Sequence, residues 1–495
     1  MGPSNSACNP PRLAFVLLIL CWTTWYFFPS PGENGFPTFG GHSKPPPPTA
    51  TNETFIADML GTEIDGPYNL EPLAALCRSK EYTPGLIIKC KAAPGGMGNV
   101  RNMMLNCYRF AIEAGATGVI VPHFTTHLAM LTSVKSNIIL TPLRIMKRGD
   151  SSLSDLFTGI DYPFTYFFDL DHFTSSFRTA CPQIHLYDNQ QDLAHLPSTN
   201  EEHEVDPHKL SIKHHPKATT MIDEPQYWRR EFYKWLNDHA PPFSRSEPVL
   251  ITFPMQLLRW PFSYDKPDFV ATYGRLLLIR EDVRRLAAVI LYSMSKTYDL
   301  SLNLSGPIQQ GKFYGAHMRT ASDALAVGWP GYDEQSKNYL SAVAATNLSL
   351  VYLTTGNPDD AARFTATAAR QNITVVTKDT LLAGEEFAAE RDEMATLSWD
   401  HMGMIDYYVL LRSSLFGGMF QSSFSWNIAN KRHVVVGNGT WMEIAPMRAG
   451  LETWYDTEGE LTYDGPECFR DELSTIYGLT DMDGVRWQFP MALFP

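Results

Sequence analysis

The apolar positions of this chain change period several times after residue 84. Residues 85–90 (GLIIKC) form a short unbroken apolar run, the signature of a strand buried on both faces. A glycine-rich loop follows at 92–99 (AAPGGMGN), and residues 100–114 then place Leu105, Tyr108, Ala111 and Ile112 on one helical stripe. Gly115 stands where a helix stop belongs, and 117–121 (TGVIV) reads as the next strand. Strand, loop, helix and strand in that order predict a βαβ unit with a parallel pair. The second half repeats the style. Strands are expected at 313–319, 348–354 and 373–377, and helices at 358–371 and 402–416. A glycine-rich, strand-like run at 415–420 and a closing strand at 433–437 complete it. Residues 185–245 are polar, hold several histidines and prolines, and read as loops and connecting helices near a lobe boundary. The pattern predicts two α/β lobes facing a central cleft, with ligands beyond the carboxyl ends of the strands.

The first 60 residues follow a different pattern. Residues 13–28 (LAFVLLILCWTTWYFF) carry no charge, follow Arg12, and end in bulky aromatics that offer no small-residue cleavage site. This predicts an uncleaved signal anchor, or transmembrane helix, behind a short cytoplasmic tail at 1–12. Residues 29–60, with consecutive prolines from Pro45 to Pro48, predict an extended semi-rigid stalk. Together they imply a single-pass type II protein of the ER or Golgi membrane, its body in the lumen. Sequons at Asn52, Asn303, Asn347, Asn372 and Asn438 are consistent with that compartment.

Composition adds exclusions. At 495 residues the chain is longer than one core usually fills, which fits two lobes. Its 40 basic and 53 acidic residues leave a net charge of −13, and no basic patch is visible, so a nucleic-acid partner is excluded. Of the 7 cysteines, Cys8 and Cys21 belong to the front end. Cys77, Cys90, Cys107, Cys181 and Cys468 remain, enough for at most two disulfides with one thiol left over.

Three loops at strand ends suit phosphate. In Pro94-Gly95-Gly96-Met97-Gly98-Asn99 the glycines let backbone N–H groups approach an anion at a helix start. It is not a dinucleotide fingerprint, because Arg101 stands where a third small residue belongs, and it lacks a P-loop lysine. Arg319, after the strand ending His317-Met318, can grip a phosphate with its planar fork, or pair with Asp323 at the surface. In Gln421-Ser422-Ser423-Phe424, either serine can cap a short helix whose first turn would seat a phosphate. Asp169 and Asp171, like Asp481 and Asp483, have the spacing of a metal-binding DxD, although such pairs are usually solvated or structural. His203, His208, His214 and His215 fit no zinc spacing.

PGGMGN, HMRTASD and FGGMFQSSFSWNI resemble, in residues and in order, the GDP-fucose protein O-fucosyltransferase superfamily. Phe168 to Phe173 (FDLDHF) is similar to a segment of its plant-type branch. The resemblance implies a GT-B fold of two Rossmann-like lobes, 61–245 on the acceptor side and 246–495 on the GDP-sugar side. It also implies inverting, metal-independent transfer of fucose from GDP-fucose to a serine or threonine hydroxyl of a protein, without a cofactor. By position, Arg319 would hold the β-phosphate and stabilise departing GDP, with Asn99 beside the β-phosphate and fucose. Gly95, Gly96 and Gly98 would line the same donor site. His317, Asp323 and Asp406 would sit at the nucleotide, and Ser422, Ser423 and Phe424 would seat its phosphates or base. Some members place a glutamate in the first loop as general base, where this chain has Gly96. His123, Asp169 and Asp171 are then the candidate bases, or the leaving diphosphate takes the proton. Three alternatives stay open. They are a metal-dependent GT-A transferase using Asp169 and Asp171, transfer of another nucleotide sugar or to a glycan, and a non-catalytic lumenal GDP-sugar-binding protein.

Overall fold

The apolar run at residues 85–90 lies in β1 (Thr83–Cys90), where Leu86, Ile87 and Ile88 are all buried. The computed structural model describes residues 51–91, 96–121, 124–126, 160–211, 221–326, 328–436, 467–478 and 489–495. Strand β1 pairs in parallel with β2 (Ala116–Ile120), and between them runs the helix Met97–Ala114, stopped by Gly115 in the left-handed region. The expected βαβ unit is present. Two antiparallel strands, β3 (Phe124–Thr126) and β4 (Ile160–Tyr162), form a separate pair. Three further strands, β5 (His185–Tyr187), β6 (Glu202–Glu204) and β7 (Val249–Phe253), complete the first sheet in the order β5-β2-β1-β7-β6, all parallel. The polar stretch 185–245 therefore supplies two strands as well as loops and the helix Pro225–His239. The first sheet also runs past residue 246, because β7 is paired to β1.

The second sheet holds β8 (Tyr314–Met318), β9 (Leu350–Thr355), β10 (Thr374–Val376), β11 (Leu415–Met419), β12 (Glu467–Arg470) and β13 (Ser474–Tyr477). Their order is β10-β9-β8-β11-β13-β12, parallel except for the β12–β13 edge pair. Both sheets belong to one unit, residues 50–495. In each, the chain moves outward on one side of its first strand and then crosses to the other. The reversals fall between β1 and β7 and between β8 and β11. Crevices at such reversals, beyond the carboxyl ends of the strands, are where open α/β sheets bind ligands.

Three expected elements are different. The helix expected at 402–416 runs over Trp399–Leu411, because residues 415–419 pair as β11. Residues 433–436 continue the helix Ser423–Val436 instead of forming a strand. Their β-branched run is overridden by tertiary partners: the buried Arg432 guanidinium donates to the carbonyls of Leu411 and Ser413 at 2.8 Å and of Leu473 at 2.7 Å. Residues 52–61, expected to end the stalk, form a helix opened by a Thr51 capping box, with Phe55 and Met59 buried on one stripe. Phe55 meets Tyr292 of the helix Glu281–Tyr298 edge-on at 5.7 Å. The rest of the stalk, the tail and the anchor at 13–28 lie outside the described residues, among which no helix is long and apolar enough to cross a membrane.

Two disulfides are present among the described residues, Cys77–Cys181 and Cys90–Cys107. The second ties the end of β1 to the helix Met97–Ala114 on either side of the glycine loop. By loop-closure entropy the two links contribute on the order of 3 to 5 kcal/mol each. Cys468 lies in β12, its side chain outside the described set.

Candidate functional site

At the end of β8, His317 is 7% exposed and its Nδ1 lies 2.8 Å from Ser425 Oγ. Ser425 Oγ also accepts the Met419 N–H at the end of β11 (3.0 Å), so one hydroxyl binds the two strand ends together. The His317 ring meets Phe424 at 4.7 Å. Burial, reinforced by the charge of Arg319, pushes the imidazole down to about 3, so it is neutral at physiological pH. Arg319 follows just beyond β8, its guanidinium 5.9 Å from the ring of Trp329 and 5.9 Å from that of Trp399.

At the end of β11, Ser422 Oγ accepts the Ser425 N–H (3.3 Å), which makes Ser422 the cap of the helix Ser423–Val436. The expected short helix is thus 14 residues long, and the free N–H groups of its first turn carry its positive end. Asn427 on its first turns donates to the Ser423 carbonyl (2.8 Å) and accepts from Arg101 Nη1 (3.1 Å). That pair links the two halves. It also gives Arg101 a structural duty, because its other donors take the carbonyls of Phe494 and Pro495, both at 2.6 Å.

At the end of β1, the loop reaches the helix Met97–Ala114 through Gly96, an extended N-cap without a side chain. A Cβ at Gly98 would lie 2.7 Å from Asn427 Nδ2, 3.1 Å from Ser423 Oγ and 3.3 Å from Ser423 backbone, so only glycine fits without displacement. A Cβ at Gly96 would meet nothing within 4 Å. Two helix N-termini, from different sheets, therefore abut through Gly98 and Ser423. Every residue of Met97–Ala114 is buried except Asn99, which is half-buried. Asn99 Oδ1 is itself shielded from solvent and has no hydrogen-bond partner within the described protein. Thr320 Oγ1, past β8, and Thr354 Oγ1, near the end of β9, are shielded and unpartnered in the same way. Buried acceptors left so cost about 1–3 kcal/mol each, and sites for polar ligands are where such a cost is tolerated.

The structure thus gathers Gly96, Gly98, Asn99, His317, Ser422, Ser423 and Phe424 at the reversal points of the two sheets, with Arg319 two residues beyond His317. Asp406 is a different case. It lies on the helix Trp399–Leu411 beside Tyr407, whose ring meets Phe424 at 6.1 Å, but its carboxylate is 2% exposed. Its oxygens accept from Tyr352 OH (2.6 Å) and Lys378 Nζ (2.8 Å). Asp323 lies on the turn of helix Ser322–Ala326, its side chain outside the described set, and Gly95 is outside it altogether.

Asp169 is the cap of the helix Leu170–Ala180, its Oδ1 accepting the His172 N–H at 2.9 Å, and Asp171 lies in that helix's first turn. Among the described residues no group of three or more potential metal ligands occurs, and His203 and His208 fall on β6 and on the turn Pro207–Leu210. Asp481, Asp483, His123, His214 and His215 lie outside the described residues.

Pattern reading missed the supports. Ser425 and Asn427 were within reach, because they stand in the same SSFSWN run as the cap. Asn102 and Asn106 continue a polar stripe from Asn99 along a helix read for its apolar one. Asn102 Oδ1 accepts the Leu258 N–H (2.9 Å) and Asn106 Oδ1 that of Trp260 (2.7 Å), which fixes the loop after β7 with Leu258 at a positive φ of 54. Gln335 and Trp399 gave no signal in the sequence.

A model of the family described as GDP-fucose protein O-fucosyltransferase matches residues 86–435. No curated protein matches the chain. Among solved structures, POFUT1 in complex with GDP is 13% identical, over 71% of this chain and 95% of that one, with a TM-score of 0.39. POFUT1 in complex with GDP-fucose is 12% identical over the same shares, also at 0.39. The fucosyltransferase NodZ from Bradyrhizobium is 13% identical, over 69% and 90%, at 0.33. The family match spans all three strand-end elements and runs through both sheets. The chain belongs to the GDP-fucose protein O-fucosyltransferase family and is a glycosyltransferase.

Proposed function

We propose that this protein transfers fucose from GDP-fucose to a serine or threonine hydroxyl of a protein in the secretory lumen, with inversion and without a metal, on a GT-B framework. The observation that carries this is the meeting of two helix N-termini at Gly98 and Ser423, beside the strand end that bears Arg319. Helix starts and a guanidinium are the natural seat of a diphosphate inside a chain of net charge −13.

In this reading the acceptor oxygen attacks C1 of fucose while the bond from C1 to the β-phosphate oxygen breaks, its electron pair leaving with GDP. Arg319 and the first-turn N–H groups meet the charge that builds on the diphosphate, where fixed donors lower a barrier most. Asn99, with its unpartnered oxygen, holds a sugar hydroxyl or the acceptor beside the β-phosphate. Neutral His317 positions the nucleotide instead of carrying a charge. Asp406 acts through the helix that carries Tyr407, and Asp323, on the short helix after β8, is assigned to the nucleotide by its position in the HMRTASD element. With Gly96 where a carboxylate would stand and Asp169 committed to a helix cap, the departing diphosphate takes the acceptor's proton. A loss of more than about tenfold in kcat on His123→Ala or Asp171→Asn would give that proton to the residue replaced.

The donor is tested by thermal stabilisation of the protein with a panel of nucleotide sugars. GDP-fucose at 100 times its Kd should add about 2.7 kcal/mol, and equal shifts with UDP-sugars would overturn the assignment. Undiminished transfer in EDTA is expected, and strict manganese dependence would favour the DxD alternative. Gly96 favours one second reading, a lumenal protein that binds the GDP-sugar without turning it over. Binding with neither transfer nor hydrolysis would establish it. The anchor, stalk and type II orientation in the ER or Golgi membrane complete the proposal, and resistance of the body to protease in sealed microsomes tests them.

A further inference from the structure

Strand β8 pairs with β9 as far as Met318↔Thr355 and with β11 only as far as Ala316↔Gly417. Arg319 is therefore past the end of both ladders, and a residue so placed has no strand to fix its peptide groups. The primary amide of Gln335, on the helix Tyr332–Ala344, takes the place of that strand. Its Oε1 accepts the Arg319 N–H at 2.9 Å, and its Nε2 donates to the Arg319 carbonyl at 3.0 Å. The second amide hydrogen reaches the carbonyl of Pro330 at 2.6 Å, next to Trp329, one of the rings beside the guanidinium. One turn further along the same helix, Tyr339 OH donates to the His317 carbonyl at 2.5 Å. Gln335 and Tyr339 are both 0% exposed.

We propose that Gln335 is a positioning residue for Arg319, its amide holding the arginine backbone on both sides where the sheet no longer does. This rests on the assignment of Arg319 to the donor diphosphate. The reason for an amide is that only a primary amide, as in glutamine or the shorter asparagine, offers a carbonyl acceptor and two N–H donors in the geometry of a peptide. A carboxylate of the same shape would still accept from the Arg319 N–H. It would then set an acceptor against the carbonyls of Arg319 and Pro330. A shift of about 1 Å in a charge-stabilising group is enough to cost roughly 100-fold in rate.

Gln335→Glu and Gln335→Met are measured beside Arg319→Ala, in transfer kinetics and in GDP affinity by calorimetry, with circular dichroism as the check of fold. The expected result is a fall in kcat of roughly 100-fold with the KM for the protein acceptor changed less than about threefold. In the Arg319→Ala background neither Gln335 change should weaken GDP further, because a group that acts through Arg319 has nothing left to position. Independent, multiplying losses would overturn the proposal. So would parental turnover in both variants, or loss of fold in both, which would assign the amide to stability alone. Failure of the donor assignment shows separately, as near-parental turnover and GDP affinity in Arg319→Ala itself.

Discussion

The ends of β8 and β1 meet the same crevice and are built in opposite ways. At β8 every backbone group that matters is held: Ser425 ties His317 to β11, Tyr339 takes the His317 carbonyl, and Gln335 takes both peptide groups of Arg319. At β1 the segment is glycine-rich, a Cβ at Gly96 would meet nothing within 4 Å, and Asn99 keeps a shielded oxygen without a partner among the described residues. The first arrangement suits a fixed charge that must be in place before the bond breaks. The second keeps hydrogen-bonding capacity and room in reserve, as a site does for the parts of a ligand that arrive and leave. The two ends thus differ in how their backbone is held, while each keeps a shielded oxygen that is unpartnered among the described residues, Thr320 Oγ1 past β8 and Asn99 Oδ1 past β1.

The largest effect should come from the β8 end. Arg319→Ala should lower transfer by about 100-fold or more, roughly 3 kcal/mol of transition-state stabilisation, in a protein of unchanged melting temperature. Near-normal turnover would remove the contrast. At the β1 end, Asn99→Ala deletes an acceptor that nothing among the described residues uses. Steady-state rates should drop by about tenfold or more while thermal stability holds or rises, since an unsatisfied buried group has been relieved. A clear fall in Tm would mean that Asn99 is a structural residue. At the start of the same helix, Gly98→Ala must displace Asn427 and Ser423 and should cost about 1–3 kcal/mol by denaturant titration, whereas Gly96→Ala at its cap should leave the midpoint in place. Equal costs at the two glycines would show that the helix starts do not abut.

The smallest effect concerns pH. Folded His317 stays neutral down to about 3, whereas an imidazole in the unfolded chain takes its proton near 6.5. Its contribution to stability is therefore complete above pH 6.5 and is lost as pH falls toward 3. Burial lowers His172 and His401 as well, so they add to the same trend. Melting temperatures across pH 7 to 4 should fall more gently in His317→Gln than in the parent, and parallel profiles would put the charge-free imidazole in doubt.

Much of this was legible in the sequence. Apolar runs marked β1, β2, β8 and β9 because strands buried on both faces leave little choice of residue. The three strand-end elements could be named because helix caps and glycine loops demand particular residues at fixed spacing. Other features depend on partners far away in the chain. The run at 433–436 has the β-branched character of a strand and became helix because Arg432 is gripped by carbonyls of two other segments. Gln335 is 16 residues from Arg319, on a helix whose pattern only says which side is apolar. Asp169 looked like half of a metal motif, and its hydrogen bond to the His172 N–H makes it a helix cap. A cap and a ligand need the same carboxylate, and only coordinates separate the two.

The central claim is that the diphosphate of the donor is held where the carboxyl ends of β8 and β11 meet the helix starts at Gly98 and Ser423. A crystal structure of the protein with GDP tests it most directly. The account predicts β-phosphate oxygens within hydrogen-bond distance of the Arg319 guanidinium and of first-turn N–H groups of Ser423–Val436, with Asn99 alongside. The opposite end of the strands of the second sheet offers the contrary outcome, a groove of 780 Å³ lined by Tyr314, Leu415 and Ser474 near the amino ends of β8, β11 and β13. GDP seated there, with Arg319 untouched, would contradict the account.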